Sequence, residues 1–260
     1  MTVKEAIDAL ERFAPLSLQE DYDNAGLQVG LTEADVSGVL LCLDVTPDII
    51  AEALREGCNL IVSHHPLIFR GLKQLCDQNM VARCVGSALR HNLTLYAAHT
   101  NLDNAEGGVN YELASRLGAT VTGWLKPLSD GKGGSGAVAE LPAAELPADF
   151  LRRVKQTLGI HTLCTNQGPA DRPIRRIGLC GGSGDFLLDE AVRQGCDCFL
   201  TGEMHYHQYF GHEADIWIGV LGHYQSEIPT VQLLRRILAD ACPDVRLVVS
   251  AIDTNPIRYI

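Results

Sequence analysis

Ser63-His64-His65-Pro66 follows the apolar run NLIV, so two adjacent imidazoles leave what reads as a buried strand. They point in different directions, and so suit either two metal ions or one ion bound after a turn. Imidazole suits Zn, Fe, Mn, Co or Ni, and carboxylates add oxygen character to such a site. Two further elements share one spacing: His99 precedes Asp103 by four residues in HTNLD, and His223 precedes Glu227 by four in HYQSE. Each alone has an ordinary explanation. Asp103 reads as a turn or N-cap carboxylate, Glu227 as an acid in a helix first turn, His99 as a hydrogen-bonded histidine at the core edge. One shared metal centre accounts for all of them together, and carboxylates able to bridge two ions make it a dinuclear candidate.

The elements that position these residues form a repeat. LLCLDVTPDIIAEALREGCNLIVSHH from Leu40 aligns with GLCGGSGDFLLDEAVRQGCDCFLTGE from Gly178 at an offset of 178 − 40 = 138, with seven identities over 26 positions. Each copy reads as a short apolar strand, a turn, an amphipathic helix ending at glycine, and a second buried strand. Gly57 and Gly195 stand where a helix end calls for a left-handed residue. These are β-α-β units, and strands buried on both faces predict a mostly parallel sheet. A helix precedes each unit (VKEAIDALERF and PADFLRRVKQTLGI). A strand follows each, LTLYAAH ending at His99 and DIWIGVLGH ending at His223. The His-x-x-x-acid elements therefore fall at carboxyl ends of strands, where open α/β sheets bind ligands. The expected fold is α/β: two interlinked, internally repeated domains with mostly parallel sheets. The first covers residues 1–105 and 228–260, including the returning strand RLVVSAI, and the second covers 106–227. SDGKGGSG at 129–136 reads as a loop or hairpin turn between the halves.

The chain has 260 residues, 46% hydrophobic and 20% charged, which is globular composition. Its net charge of −11 argues against nonspecific binding to nucleic acid or anionic membrane, which needs clustered cations. No run reaches transmembrane length, and the N-terminal segment reads as an amphipathic helix rather than a signal peptide. Nine cysteines without a C-x-x-C, mostly in apolar strand contexts, read as small buried hydrophobes in a reducing, cytoplasmic compartment. Cys196 and Cys198 on one strand make a poor two-ligand clamp for zinc.

DYDNAGLQVG (21–30), DVTP (44–47), IVSHHPLIF (61–69), AAHTNLD (97–103), GGSGD (181–185), TGE (201–203) and GHYQSE (222–227) together resemble the Nif3-like proteins. These are also called GTP cyclohydrolase I type 2 homologues. The resemblance spans nearly the whole chain in its short form, without the extra domain that longer members insert. It implies a dinuclear divalent-metal site in a cleft between two α/β domains, on subunits assembled into a toroidal homohexamer. Its metal ligands would be His64, His65, Asp103, His223 and Glu227. His99 stays outside that set, at the cleft, facing substrate or supporting a ligand. Glu203 aligns with His65 in the repeat and is the candidate general base. The roles of His205, His207 and His212 stay open.

The resemblance favours a metal-dependent hydrolase, using a metal-activated water on a nucleotide or a small cyclic amide or phosphoester, with Glu203 or His99 moving protons. The alternative is a non-enzymatic metal-binding, regulatory or scaffold protein forming a ring. No P-loop and no Arg or Lys cluster accompanies the site. GGSGD reads equally as an anion-binding turn and as a tight strand-to-helix turn.

Overall fold

The computed structural model describes residues 1–129, 131–258 and 260, in two compact units. The first comprises Met1–Leu102 and Thr230–Pro256, and the second Asp103–Pro229 with Ile257–Ile260.

The first unit opens with helix α1 (Val3–Phe13), started by a capping box in which Thr2 and Glu5 each bond the other's backbone N–H. Strands β1 (Gly26–Val29) and β2 (Val39–Cys42) follow, then α2 (Pro47–Arg55) and β3 (Leu60–Ser63). Thr46 caps α2 and Pro47 takes its first turn, where a missing N–H costs nothing. The unit continues through α3 (Met80–Arg90) and β4 (Thr94–Ala97). The short helix α4 (Thr100–Asp103) carries the chain out of the unit, and α9 (Thr230–Ala241) and β11 (Leu247–Val249) bring it back. The sheet order is β1-β4-β3-β2-β11. Here β4, β3, β2 and β11 run parallel and only the edge strand β1 is antiparallel. Strands β2, β3 and β4 are buried at every position, because helices cover both faces of a parallel sheet.

The second unit holds α5 (Val109–Arg116), β5 (Thr120–Pro127), β6 (Gly134–Glu145), α6 (Pro147–Thr157) and β7 (Cys164–Thr165). Then come β8 (Ile174–Cys180), α7 (Leu188–Arg193), β9 (Cys198–Thr201), β10 (Trp217–Val220) and α8 (His223–Glu227). Its sheet order is β5-β6-β8-β9-β10-β7. Only β8, β9 and β10 run parallel, and the pairs β5/β6, β6/β8 and β10/β7 are antiparallel. The expectation of mostly parallel sheets therefore holds for the first unit and fails for the second. The glycine-rich stretch, expected between the halves, contains the turn of the β5–β6 hairpin, and a connection that short can join only antiparallel strands.

The repeat is present in three dimensions. Val39 pairs with Leu60 and Ile177 with Cys198, so both β-α-β units share one register at the offset read from the sequence. Gly57 and Gly195 take φ of 66° and 69°, as their helix ends require. Cys42, Cys58, Cys84, Cys196 and Cys198 are buried in the apolar cores.

Candidate metal centre

In the first unit the carboxyl ends of β3 and β4 bring three histidines together. One ring nitrogen from each of His64, His65 and His99 lies within 4.8 Å of the others. The ring centroids are 5.0 to 5.5 Å apart. Each Nδ1 faces an acceptor. That of His64 lies 2.8 Å from the Ala98 carbonyl, that of His65 2.7 Å from Asp44 Oδ1, and that of His99 2.7 Å from Asp23 Oδ1. A carbonyl or carboxylate only accepts, so each ring donates from Nδ1, and in the neutral ring Nε2 carries the lone pair. This is the arrangement metal-ligating histidines adopt, with an oxygen behind each ring fixing its tautomer and raising its basicity.

The oxygens behind the rings are themselves held. Asp44 Oδ2 accepts from the Thr254 hydroxyl at 2.7 Å. Asp23 Oδ2 accepts from the Thr100 hydroxyl at 2.5 Å and the Thr100 amide at 3.1 Å. Burial by itself would raise the Asp23 carboxyl. The bonds from His99, Thr100 and Asn24 overcome it and bring the pKa down to about 2.

In the second unit, Gly222 at φ 92° turns the chain from β10 into α8. His223 and Glu227 are four apart on this helix and so share a face. His223 Nε2 lies 3.0 Å from Glu227 Oε2, and the Glu227 side chain is only 5% exposed. A carboxylate that deeply buried needs a cationic partner, which an imidazolium or a metal supplies. His223 Nδ1 lies 3.0 Å from Glu203 Oε1, and Glu203 Oε2 accepts from the Ser183 hydroxyl at 2.7 Å. The Ser183 bond does most to hold the Glu203 carboxyl below its ordinary range, against the opposing effect of burial, and His223 adds to it. Glu203 thus stands behind His223 as Asp44 stands behind His65.

A glycine turn seats these groups. At Gly182 (φ 61°) an added Cβ would collide with Glu227 Oε1, and at Gly202 one would fall 2.6 Å from the Gly182 carbonyl and 2.7 Å from Ser226 Oγ. The Gly182 amide donates to Ser226 Oγ at 3.0 Å, and that hydroxyl donates to the His223 carbonyl at 2.8 Å. Buried Asn110 accepts from the Gly181 amide at 3.1 Å and donates to the Asp103 carbonyl at 3.2 Å. The Gly184 amide donates to Thr201 Oγ1 at 3.0 Å. With the amides of Gly181, Gly182 and Gly184 engaged by side chains, GGSGD forms a tight turn packed against Glu227.

The structure brings His64, His65 and His99 together in one unit, and Glu203, His223 and Glu227 in the other. Asp103, half-buried, ends α4 at the first position of the second unit. His205, His207 and His212 lie on the segment after β9, outside the candidate metal groups among the described residues. His99 and His223 are not equivalent in register: His99 follows the end of β4 by two residues and His223 the end of β10 by three, although Ser63↔Ala97 and Thr201↔Val220 correspond. No role for Asp23, Asp44, Asn110 or Ser226 was legible from residue type and spacing. Three of them lie within the motifs DYDNAG, DVTP and GHYQSE, which is the signal that marks them.

Fold and donors define an α/β protein with histidine–carboxylate groups suited to binding a metal. Residues 1–256 match the family Duf34/NIF3 (NGG1p interacting factor 3), and the chain belongs to it. Among curated relatives, the "GTP cyclohydrolase 1 type 2 homolog" of Clostridium acetobutylicum is 33% identical over 246 residues, covering 93% of this chain and 91% of the relative. That of Clostridium perfringens is 31% identical, over the full length of both. The crystal structure of Staphylococcus aureus protein SA1388 superposes with a TM-score of 0.91 at 27% identity, covering 100% of this chain and 99% of the other. A Bacillus cereus protein related to NIF3 shares the fold, with a TM-score of 0.89 at 22% identity and coverage of 100% and 99%. Among the described residues, no helix is long and apolar enough to cross a membrane.

Proposed function

We propose that the chain is a metal-dependent hydrolase in which His64, His65, Asp103, His223 and Glu227 hold two divalent ions. The observation that carries this reading is the convergence of His64, His65 and His99 with an oxygen acceptor behind every Nδ1. A core packed only for stability has little use for three such rings side by side, whereas a metal site needs them. The buried Glu227 beside His223 is the second donor group. Divalent ions held by these residues would supply an acidified water and polarise a carbonyl or phosphoryl group.

The chain's own residues do the rest. Asp44 and Glu203 keep His65 and His223 in the tautomer that offers Nε2. His99, held by Asp23, faces substrate and takes or returns a proton through Nε2. Glu203 acts through His223, orienting the ring whose Nδ1 lies 3.0 Å from its carboxylate. The substrate class is a nucleotide or a small cyclic amide or phosphoester. The name carried by the curated relatives makes GTP the first compound to try. A cytoplasmic ring of six copies completes the reading and is checked by mass measurement in solution.

Metal analysis of the purified chain, paired with formate release from GTP by wild type and Asp103→Ala, tests the reading. It expects about two ions per chain, with turnover lost in the variant. Two ions without any turnover would favour the non-enzymatic metal-binding ring. Absence of metal after reconstitution would overturn the reading.

A further inference from the structure

Beyond β11 the chain runs from Ser250 to Asn255 without helix or strand, yet it is held at both ends. Its start is fixed against α2 by Glu52, which accepts from the Ser250 hydroxyl at 2.5 Å and from the Ala251 amide at 3.0 Å. Ser250 Oγ in turn accepts from the Ile252 amide at 3.1 Å, and the Ser250 amide donates to the Leu41 carbonyl of β2 at 2.9 Å. The far end reaches the site. There the Thr254 hydroxyl donates to Asp44 Oδ2, whose other oxygen accepts from His65 Nδ1. The His65 amide donates to the Leu43 carbonyl at 2.9 Å, so the turn leaving β2 is bonded to the histidine and to this segment alike.

Glu52 is an unusual choice for a residue that serves stability alone. It is 3% exposed, on the face of α2 that buries Ile49, Ile50 and Ala53. Arg55 approaches it only to 3.8 Å, on a side chain that is 64% exposed. A carboxylate taken out of water is costly, and an apolar residue of similar size commonly packs as well or better. What leucine lacks is two acceptor oxygens aimed at consecutive residues of the segment. Ser250 is half-buried and Ala251 exposed, so water can replace those bonds without leaving a buried donor unpaired. Their specific effect is to fix the path that carries Thr254 to Asp44. Asp44 is itself 34% exposed, and without Thr254 it is free to turn towards water and away from His65.

We infer that Ser250–Thr254 is a strap belonging to the metal centre, and that Glu52, its anchor, is a positioning residue for His65 acting through Thr254 and Asp44. The inference rests on the proposed metal site, since the aim of His65 matters to function when its ring is a ligand.

Zinc affinity of the full chain, measured by competition against a chromophoric chelator, tests it in Thr254→Val, Glu52→Leu and the double variant. Thr254→Val removes one hydroxyl at constant shape, and Glu52→Leu removes the anchor while keeping the packing. Each weakens zinc by about tenfold, as loss of an outer partner does, while the urea midpoint of Glu52→Leu stays at or above that of wild type. Acting through one strap, the double variant also loses about tenfold in total, where independent effects would multiply to about a hundredfold. If Glu52→Leu does not fold, Glu52→Gln, which cannot accept from both donors, takes its place in the cycle. Either single variant binding zinc like wild type, affinity lost only in step with a falling midpoint, or a multiplicative double variant overturns the inference. Ring nitrogen chemical shifts of the metal-free chain in alkaline buffer keep it apart from the metal reading. Wild-type His65, identified by the signals missing in His65→Gln, keeps its proton on Nδ1, and the strap variants mix the two tautomers. If wild type binds no zinc, the metal reading falls and the ring shifts decide the strap, a single tautomer throughout overturning it. If zinc binds and the cycle fails, the strap falls alone.

Discussion

His65 and Asp44 show how little of a metal ligand's behaviour belongs to the ligand itself. The ring is aimed by a carboxylate 2.7 Å behind it, and that carboxylate is steadied by Thr254. Asp44→Asn keeps the volume but removes the charge that raises the ring's basicity. Competition against a chromophoric chelator should then show metal affinity reduced by about 10- to 100-fold, with the unfolding midpoint little changed. Asp23 allows a prediction in pH. Its carboxyl is depressed to about 2 when folded, against about 3.9 for a free aspartate. Its contribution to stability is therefore present above about pH 4 and is lost as the pH falls towards about 2. Urea unfolding across that window should show a steeper loss of stability in wild type than in Asp23→Asn, and equal slopes would remove the role given to this pair.

At the scale of elements, the site depends on how closely the turns after β8, β9 and β10 approach one another. Gly182 has a left-handed φ of 61°, and no room for a Cβ beside Glu227. Gly182→Ala combines a backbone cost of about 1–2 kcal/mol with displacement of the Glu227 carboxylate. The expected result is a lowered urea midpoint and loss of metal, whereas Gly195→Ala, also left-handed but with open space around it, should pay only the backbone cost and keep its metal. Metal retained in both variants would show that the turn does not seat Glu227.

At the scale of the molecule, each unit has its own apolar core, formed around β2, β3 and α2 in the first and around β6, β8 and β9 in the second. Neither core includes a candidate ligand, so metal adds stability only by mass action. Chelation should lower the thermal midpoint while leaving the far-UV circular dichroism at room temperature unchanged. Unfolding on chelation would instead mark the ions as structural, as in a scaffold.

The repeat, the helix ends at Gly57 and Gly195, and the placement of histidines at strand ends were legible in the sequence because they depend on local periodicity and backbone preference. The antiparallel pairings of the second sheet were not, since an apolar strand pattern does not reveal its neighbours' direction. Nor was the work of Asp23, which reaches His99 across 76 residues, or of Asn110, which reaches Gly181 across 71. Sequence by itself determined which donors exist and that they stand at strand ends. Tertiary structure decided which carboxylate stands behind which ring, because hydrogen bonds of a few ångströms between distant segments exist only once the sheets have assembled.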